Sequence, residues 1–352
     1  MSAPLPPIER PAQIASAKQR QKRILTFLLK AALVGGLLFF LSKKGFISLQ
    51  DTRDAFSRWD KILPAIAGLI FTALLGIVRW QWLLRGQGIE LSWTRTAELT
   101  FVGNFFNVAL PGAVSGDVIK ALYIGREVPG LRARAFGSIL FDRVAGVSAL
   151  AIVSAGALLL GFPSFKGTAI LSALRVLVPA AAACAIAFYC YLFLVREHQD
   201  PLLRILKRLE EFLPKLGSLT RIYLGLRHYH HRRWLVLKVL LLSIFVHLVV
   251  GWSCWNFAQA LGDTDIALLA IYVVVPLGQI VTAVPIMPAG IGTGHAAFLY
   301  LFHLMGSQRG ADVFTLTALV NLCLGAAGGL VYLRFRSREP QTAAVIEAST
   351  AV

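Results

Sequence analysis

The sequence predicts an all-α polytopic membrane protein with about six full spans and two re-entrant helical hairpins. First, 57% of the 352 residues are hydrophobic and only 15% are charged, whereas soluble domains carry about 25% charged residues. Second, six apolar runs reach the length of about 20 residues that a helix needs to cross a bilayer. Third, two further apolar regions are broken near their middle by proline and glycine, which indicates a hairpin rather than a span.

The six apolar runs divide the chain into a membrane domain and two tails. They occupy residues 24–42, 62–84, 136–161, 170–195, 234–260 and 314–334. The first run ends without a small-residue cleavage site, so we interpret it as a retained helix rather than a signal peptide. The predicted organisation is a basic N-terminal tail at 1–23, a membrane domain at 24–334 and a C-terminal tail at 335–352.

The distribution of lysine and arginine predicts which segments face the cytoplasm. The formal net charge is +17, and basic residues are concentrated in 120–135, in 196–238 and in the C-terminal tail. By the positive-inside rule these segments are cytoplasmic, so both termini are predicted to lie on the cytoplasmic side of a cell (inner) membrane. The loop 43–61 conflicts with this scheme, because it carries five basic residues yet is placed outside. The same distribution favours contact with an anionic lipid leaflet over nucleic-acid binding.

Two broken regions resemble each other in sequence. Region 99–124 is interrupted at Pro111-Gly112, and region 267–306 is interrupted at Pro288-Ala289-Gly290. Each interruption continues as G-x-x-x-G followed by an ionisable residue, in LPGAVSGD and in MPAGIGTGH. Each region must begin and end on the same side of the membrane, which predicts two re-entrant hairpins.

The order of these elements predicts an inverted repeat. The halves 24–161 and 170–334 both run span, span, hairpin, span. Three spans in each half turn the second half upside down relative to the first. In such repeats the broken helices meet near the midplane and point to the binding site.

Residues 200–233 predict an amphipathic helix on the cytoplasmic leaflet. Apolar residues recur there at helical spacing, opposite Arg204, Lys207 and Arg208. A basic polar face and an apolar face together favour the surface of an anionic membrane.

The residues show no catalytic or metal-binding pattern. His228, His230 and His231 lie in a basic loop, and the sequence contains no HExxH, GxSxG or Walker motif. The four cysteines lie within apolar runs and are expected to be small buried residues. We therefore expect no enzyme activity, no cofactor and no metal.

Three segments resemble one known family of membrane domains. The string NFFNVALPGAVSGDVIKALYI contains an Asn-rich helix, Leu-Pro-Gly and then Gly-Asp followed by a basic residue. SILFDRVAGVSALAI carries an acidic-Arg pair, and VPIMPAGIGTGHAAF carries a second Pro-Gly segment. Together, and in this order, they resemble the flippase-like transmembrane domain of lysylphosphatidylglycerol synthases over about residues 24–334.

The resemblance implies an integral membrane translocase for a phospholipid or a polyprenyl-linked lipid in cell-envelope biogenesis. The family often has Glu where this chain has His295, which puts any mechanism based on a carboxylate there in doubt. The chain also ends soon after its last span, so we expect no aminoacyltransferase domain and no lipid lysylation. Two alternatives stay open: a membrane-embedded transferase, and an accessory subunit of a lipid-linked glycan or lipid-modifying pathway. The expected partners are lipids with anionic headgroups, with envelope-biosynthesis enzymes as further candidates.

Polar and glycine residues near the two breaks are the candidates for a headgroup site. A headgroup that crosses hydrocarbon needs a polar path, and anionic headgroups favour cationic side chains and helix N-termini. Ionisable residues within spans are functional candidates by default, although salt bridges near the membrane surface explain such residues equally well. The candidates are Asn104, Asn107, Pro111, Gly112, Gly116, Asp117, Lys120, Asp142, Arg143, Pro288, Gly290, Gly294 and His295. Arg79 and Asn321 are expected to have structural roles instead.

Overall fold

The computed structural model describes residues 53–109, 115–161, 169–196, 199–212, 217–283 and 290–337. All regular structure in these residues is helical, which confirms the all-α prediction. The eleven α-helices, numbered in chain order, are α1 Trp59–Gly86, α2 Trp93–Ala109, α3 Ser115–Glu127, α4 Arg132–Gly161, α5 Ala169–Leu194, α6 Pro201–Phe212, α7 Gly217–Arg227, α8 Arg233–Ala260, α9 Leu268–Ala283, α10 Thr293–Leu304 and α11 Gly310–Ser337. The predicted span at 24–42 and the N-terminal tail lie outside the described residues, as does most of the C-terminal tail.

Within the described residues, five helices are long and apolar enough to cross a membrane. They are Trp59–Gly86, Arg132–Gly161, Ser172–Leu194, Arg233–Ala260 and Gly310–Arg334, and they match five of the six predicted spans. Large apolar side chains on them, such as Leu159 and Leu160, are about 80% exposed. The expectation of buried cysteines is wrong for three of the four, because only Cys254 is buried while Cys184, Cys190 and Cys323 are exposed. Exposed apolar side chains such as Leu159 and Leu160 suit a helix surface in contact with lipid.

Helices α2 and α3 form an antiparallel pair. Near the break, the Gly116 N–H donates a hydrogen bond to Asn107 Oδ1 at 2.8 Å. At the open end, Arg95 forms an ion pair with Glu127 at 2.5 Å. With 17 and 13 residues, the two helices measure about 26 and 20 Å, less than the roughly 30 Å of a hydrocarbon core. The break itself, with Pro111 and Gly112, lies outside the described residues.

Helices α9 and α10 pack on each other in the same way. A Cβ at Gly278 of α9 would overlap the ring of Phe298 of α10, so the two helices approach closely only because this residue is glycine. Gly290, which precedes α10, lies against Thr282 near the end of α9. Gly290 has φ +67°, which glycine adopts without steric strain. The break at Pro288 lies outside the described residues.

The contacts between helices repeat when the two halves are exchanged. Helix α4 packs on α9 in the same way that α11 packs on α2, and α3 packs on α4 as α10 packs on α11. Helices α1 and α8, which hold equivalent positions, pack on each other and run antiparallel, with Gly68 beside Ser253 and Gly86 beside Leu235. Antiparallel equivalent helices are what an inverted repeat requires.

The segment 200–233 is not one surface helix. Helix α6 ends at Phe212 and α7 begins at Gly217, so the segment contains two helices. Helix α6 exposes Ile205 and Phe212, as an amphipathic surface helix does. Helix α7 instead packs on α4, and Tyr229, in the 3₁₀ turn that follows it, is fully buried and donates to the Leu83 carbonyl at 2.9 Å.

A buried ion pair connects α7 to Asp200, the residue that precedes α6. Asp200 and Arg227, whose side chains are 0% and 1% exposed, lie 3.1 Å apart. Tyr191 and Tyr223 each donate a hydrogen bond to the Asp200 carboxylate at 2.6 Å. Burial by itself raises the pKa of Asp200, but the hydrogen bonds from the two tyrosines and the Leu203 N–H, with the Arg227 charge, hold the pKa below its ordinary value. Sequence periodicity did not predict this cluster, because its members come from three separate elements.

Candidate functional site

A polar cavity lies where the two hairpins meet the long helices. Its volume is about 360 Å³. Helices α1, α2, α4, α9 and α11 contribute to its wall. The described lining residues are Leu69, Thr72, Ala73, Asn104, Asn107, Val108, Arg143, Thr282, Gly290, Asn321 and Leu324. The cavity therefore brings together four of the predicted candidates, three from the first repeat half and one, Gly290, from the second.

Helix α2 supplies the two asparagines of the cavity. Asn104 and Asn107 lie three residues apart, so both project from the same face of the helix. Asn107 also accepts the hydrogen bond from the Gly116 N–H near the start of α3. This bond satisfies one of the N–H groups that have no partner within a helix. Asn107 thus lines the cavity and also joins α2 to the beginning of α3.

Among the described lining residues, Arg143 is the cation. Its side chain is 43% exposed and pairs with Asp117 of α3, which is 11% exposed. Lys120 lies 3.9 Å from the same carboxylate, and its ammonium lies 4.0 Å above the ring of Trp80. The Lys120 stem passes beside Gly103 of α2, where a Cβ would overlap it. Asp117 and Lys120 therefore lie behind the cavity wall and set the charge around Arg143.

Asp142 belongs to a separate interhelical ion pair. Arg79 Nε donates to Asp142 Oδ1 at 2.6 Å and Arg79 Nη2 donates to Oδ2 at 3.0 Å. Arg79 Nη1 also donates to Ser243 of α8 at 3.0 Å. The pair connects α1, α4 and α8, and neither residue lines the cavity. Its geometry is the bidentate one in which guanidinium and carboxylate bind most strongly.

The charged groups next to the cavity have a positive balance. Arg79, Lys120 and Arg143 stand against Asp117 and Asp142, and all five lie close enough to interact electrostatically. Three cations against two carboxylates leave an excess of one positive charge. An excess cation in a region of low dielectric favours an anionic ligand.

His295 lies outside the cavity wall. It is 2% exposed, its Nδ1 accepts a hydrogen bond from the Gly292 N–H at 3.2 Å, and its Nε2 lies 3.1 Å from Thr315 Oγ1. Its neighbour Gly294 packs directly against the ring of Phe314. Both residues hold the beginning of α10 in place.

Sequence reasoning missed three polar residues of the cavity. Thr72 and Thr282 line it, although each hydroxyl also donates to a carbonyl one turn earlier in its own helix. A threonine inside an apolar run carries no distinctive signal, because such back-bonding satisfies it anywhere in a helix. Asn321 was expected to bond between helices, and the structure places it on the cavity wall. Within the described ranges, no group of three or more His, Cys, Asp or Glu residues is arranged to hold a metal ion.

The fold and the cavity define a multi-pass helical membrane domain built from two similar halves. Comparison with protein families matches residues 27–323 to the lysylphosphatidylglycerol synthase TM region. The chain therefore belongs to this family, as its motifs predicted. A UPF0104 membrane protein of Pyrococcus horikoshii is similar to it, with 29% identity over 128 residues, which is 36% of this chain and 37% of the relative. The chain thus matches little more than a third of that relative's length. No solved structure matches the chain.

Proposed function

We propose that the protein moves a lipid with an anionic headgroup across the membrane, and that the polar cavity holds the headgroup during the passage. The observation that carries this proposal is the position of the cavity, which both hairpins line and which Arg143 enters. Broken helices at the interface of inverted repeats are where transporters of this architecture bind their substrates. The excess positive charge around Arg143 fits a phosphate-containing headgroup.

An apolar cavity beside the polar one supports a lipid rather than a small hydrophilic anion. Its volume is about 410 Å³, and its described lining residues come from α1, α8 and α11 and include Phe56, which precedes α1. Leu324 lines both cavities. A headgroup in the polar cavity therefore has a continuous apolar surface next to it, on which an acyl or isoprenoid chain can pack.

Arg143 exchanges partners as the headgroup enters. In the structure its guanidinium is bound to Asp117. A phosphate offers the same bidentate geometry as a carboxylate, so it competes for the exposed part of the guanidinium. Lys120, 3.9 Å from Asp117, keeps that carboxylate charge-compensated when Arg143 turns to the lipid. Occupancy of the cavity then weakens the contact between α3 and α4.

A proteoliposome assay tests the proposal. Purified protein is reconstituted with labelled phosphatidylglycerol, lysyl-phosphatidylglycerol or a polyprenyl phosphate, and transbilayer movement is measured for the wild type, Asn104→Leu, Arg143→Gln and Arg85→Gln. Arg85 is exposed on α1 and lies outside the cavity, so its variant controls for loss of one positive charge. We expect Arg143→Gln to slow movement by about 10- to 100-fold, since a charged hydrogen bond contributes about 1.5–3 kcal/mol. Asn104→Leu should also be slow.

The lipid that moves identifies the substrate class. Equal movement in Arg143→Gln and in the wild type contradicts the assignment of the cavity. If folded wild-type protein moves none of the three lipids, the translocase proposal fails. Donor-dependent formation of a new lipid product then supports the membrane-embedded transferase.

A further inference from the structure

An open groove runs along α3 of the first hairpin. It shares no described lining residue with the polar cavity. Its volume is about 520 Å³, and it lies between α3, α4 and α7. Arg126, Arg132 and Arg221 line it, one from each helix. Val118 and Leu122 of α3 also line it, and their side chains are 50% and 55% exposed.

No carboxylate neutralises the three arginines of this groove within the described parts of the chain. The acid next to Arg126 in sequence, Glu127, is already paired with Arg95 at 2.5 Å. Arg132 donates its Nε hydrogen to the Gly125 carbonyl at 2.9 Å, which orients its guanidinium and leaves the two terminal nitrogens for another acceptor. Three cations around one groove favour an anion with several oxygen atoms.

Along α3 and α4, apolar and basic residues occupy opposite ends of the groove. Val118, Leu122 and Arg126 follow one another at four-residue intervals on one face of α3 and span about 12 Å along the helix. Helix α4 runs back alongside, so Arg132 lies level with Gly125 and Phe136 lies one turn further toward the apolar end. The order of apolar surface followed by guanidinium groups matches an acyl chain followed by a phosphate headgroup at a membrane surface.

We propose that this groove binds a membrane lipid with an anionic phosphate headgroup. Arg126, Arg132 and Arg221 contact the phosphate, while Val118, Leu122 and Phe136 contact the acyl chain. The site does not depend on transport through the polar cavity, because it has its own cations and its own apolar wall. Its occupation ties α7 to the first hairpin through the shared headgroup.

Photocrosslinking to the full-length protein tests this site. The probe is phosphatidylglycerol with a diazirine in its acyl chain, in vesicles of phosphatidylcholine. We expect label on the peptides that contain Leu122 and Phe136, and we expect unlabelled phosphatidylglycerol to compete with it. Phosphatidylcholine and inorganic phosphate should not compete. Competition by inorganic phosphate overturns the assignment to a lipid, and absence of label from both peptides overturns the site.

Matched variants separate the groove from general surface charge. The triple variant Arg126→Gln, Arg132→Gln, Arg221→Gln should lose labelling by about 30-fold, and the control Arg204→Gln, Arg208→Gln, Arg233→Gln by less than about twofold. An equal loss in both overturns the proposal. If the triple variant fails to fold, Leu122→Trp tests the site instead. This variant fills the groove and leaves the charge unchanged, so it should also abolish labelling. Labelling that persists in Arg143→Gln shows that the groove is independent of the polar cavity, whether or not that variant moves lipid.

Discussion

The ion pair between Arg79 and Asp142 should make a large contribution to stability. We expect Asp142→Asn to lower the free energy of unfolding by about 2–3 kcal/mol. Loss of one partner of a fully buried pair costs about 3–5 kcal/mol. The two side chains here are 14% and 15% exposed, so we expect a cost just below that range. The remaining bond from Arg79 to Ser243 compensates only partly, because a hydroxyl carries no charge.

Reversible unfolding in mixed micelles with increasing dodecyl sulfate measures this effect. The double variant Arg79→Gln, Asp142→Asn should be less destabilised than the sum of the two single variants by about 1–2 kcal/mol, because neither partner is then left uncompensated. Asp265→Asn, at an exposed loop position, is the matched control and should change stability by less than about 0.5 kcal/mol. Additive single variants, or an unchanged Asp142→Asn, would refute the reasoning.

Three further predictions concern the hairpins and α7. Gly116→Ala should destabilise the protein by about 1–3 kcal/mol, because the added Cβ would overlap the facing backbone carbonyl of α2. The control Gly76→Ala should be neutral or slightly stabilising, because its Cβ would meet nothing within 4 Å. Thermal unfolding compares the two variants. The pKa of Asp200 is lowered in the folded protein. Its contribution to folding stability is therefore complete above about pH 4–5 and is lost as the pH falls through the folded-state pKa. The wild-type melting temperature should fall between pH 5 and pH 3 more steeply than that of Asp200→Asn. His295→Ala should lower the melting temperature, because it removes the acceptor for the Gly292 N–H. The folded fraction of this variant should keep the wild-type transport rate. Loss of transport without loss of stability would instead place His295 in the substrate path.

Much of the membrane architecture could be predicted from local sequence. Apolar runs long enough to cross a bilayer become the five long helices described, because a helix satisfies its backbone hydrogen bonds within one contiguous segment. The two proline-glycine interruptions predicted hairpins, and the described helices on either side of each break do pack on each other. The segment 200–233 was harder, because helical periodicity cannot distinguish a helix on a membrane surface from one that packs on a neighbouring span. The buried Asp200–Arg227 pair decides this point for α7.

By itself, the sequence determined the class of protein, its family and the positions of the five long helices described, because hydrophobicity and backbone hydrogen bonding act on contiguous residues. Only the tertiary structure decided which polar residues share a cavity. Asn104 and Arg143 line it beside Thr72 and Thr282, while His295 is buried at the start of α10. The physical reason is that helix packing fixes the direction of each side chain, and glycines that allow close contact, such as Gly116, act between segments that lie far apart in sequence.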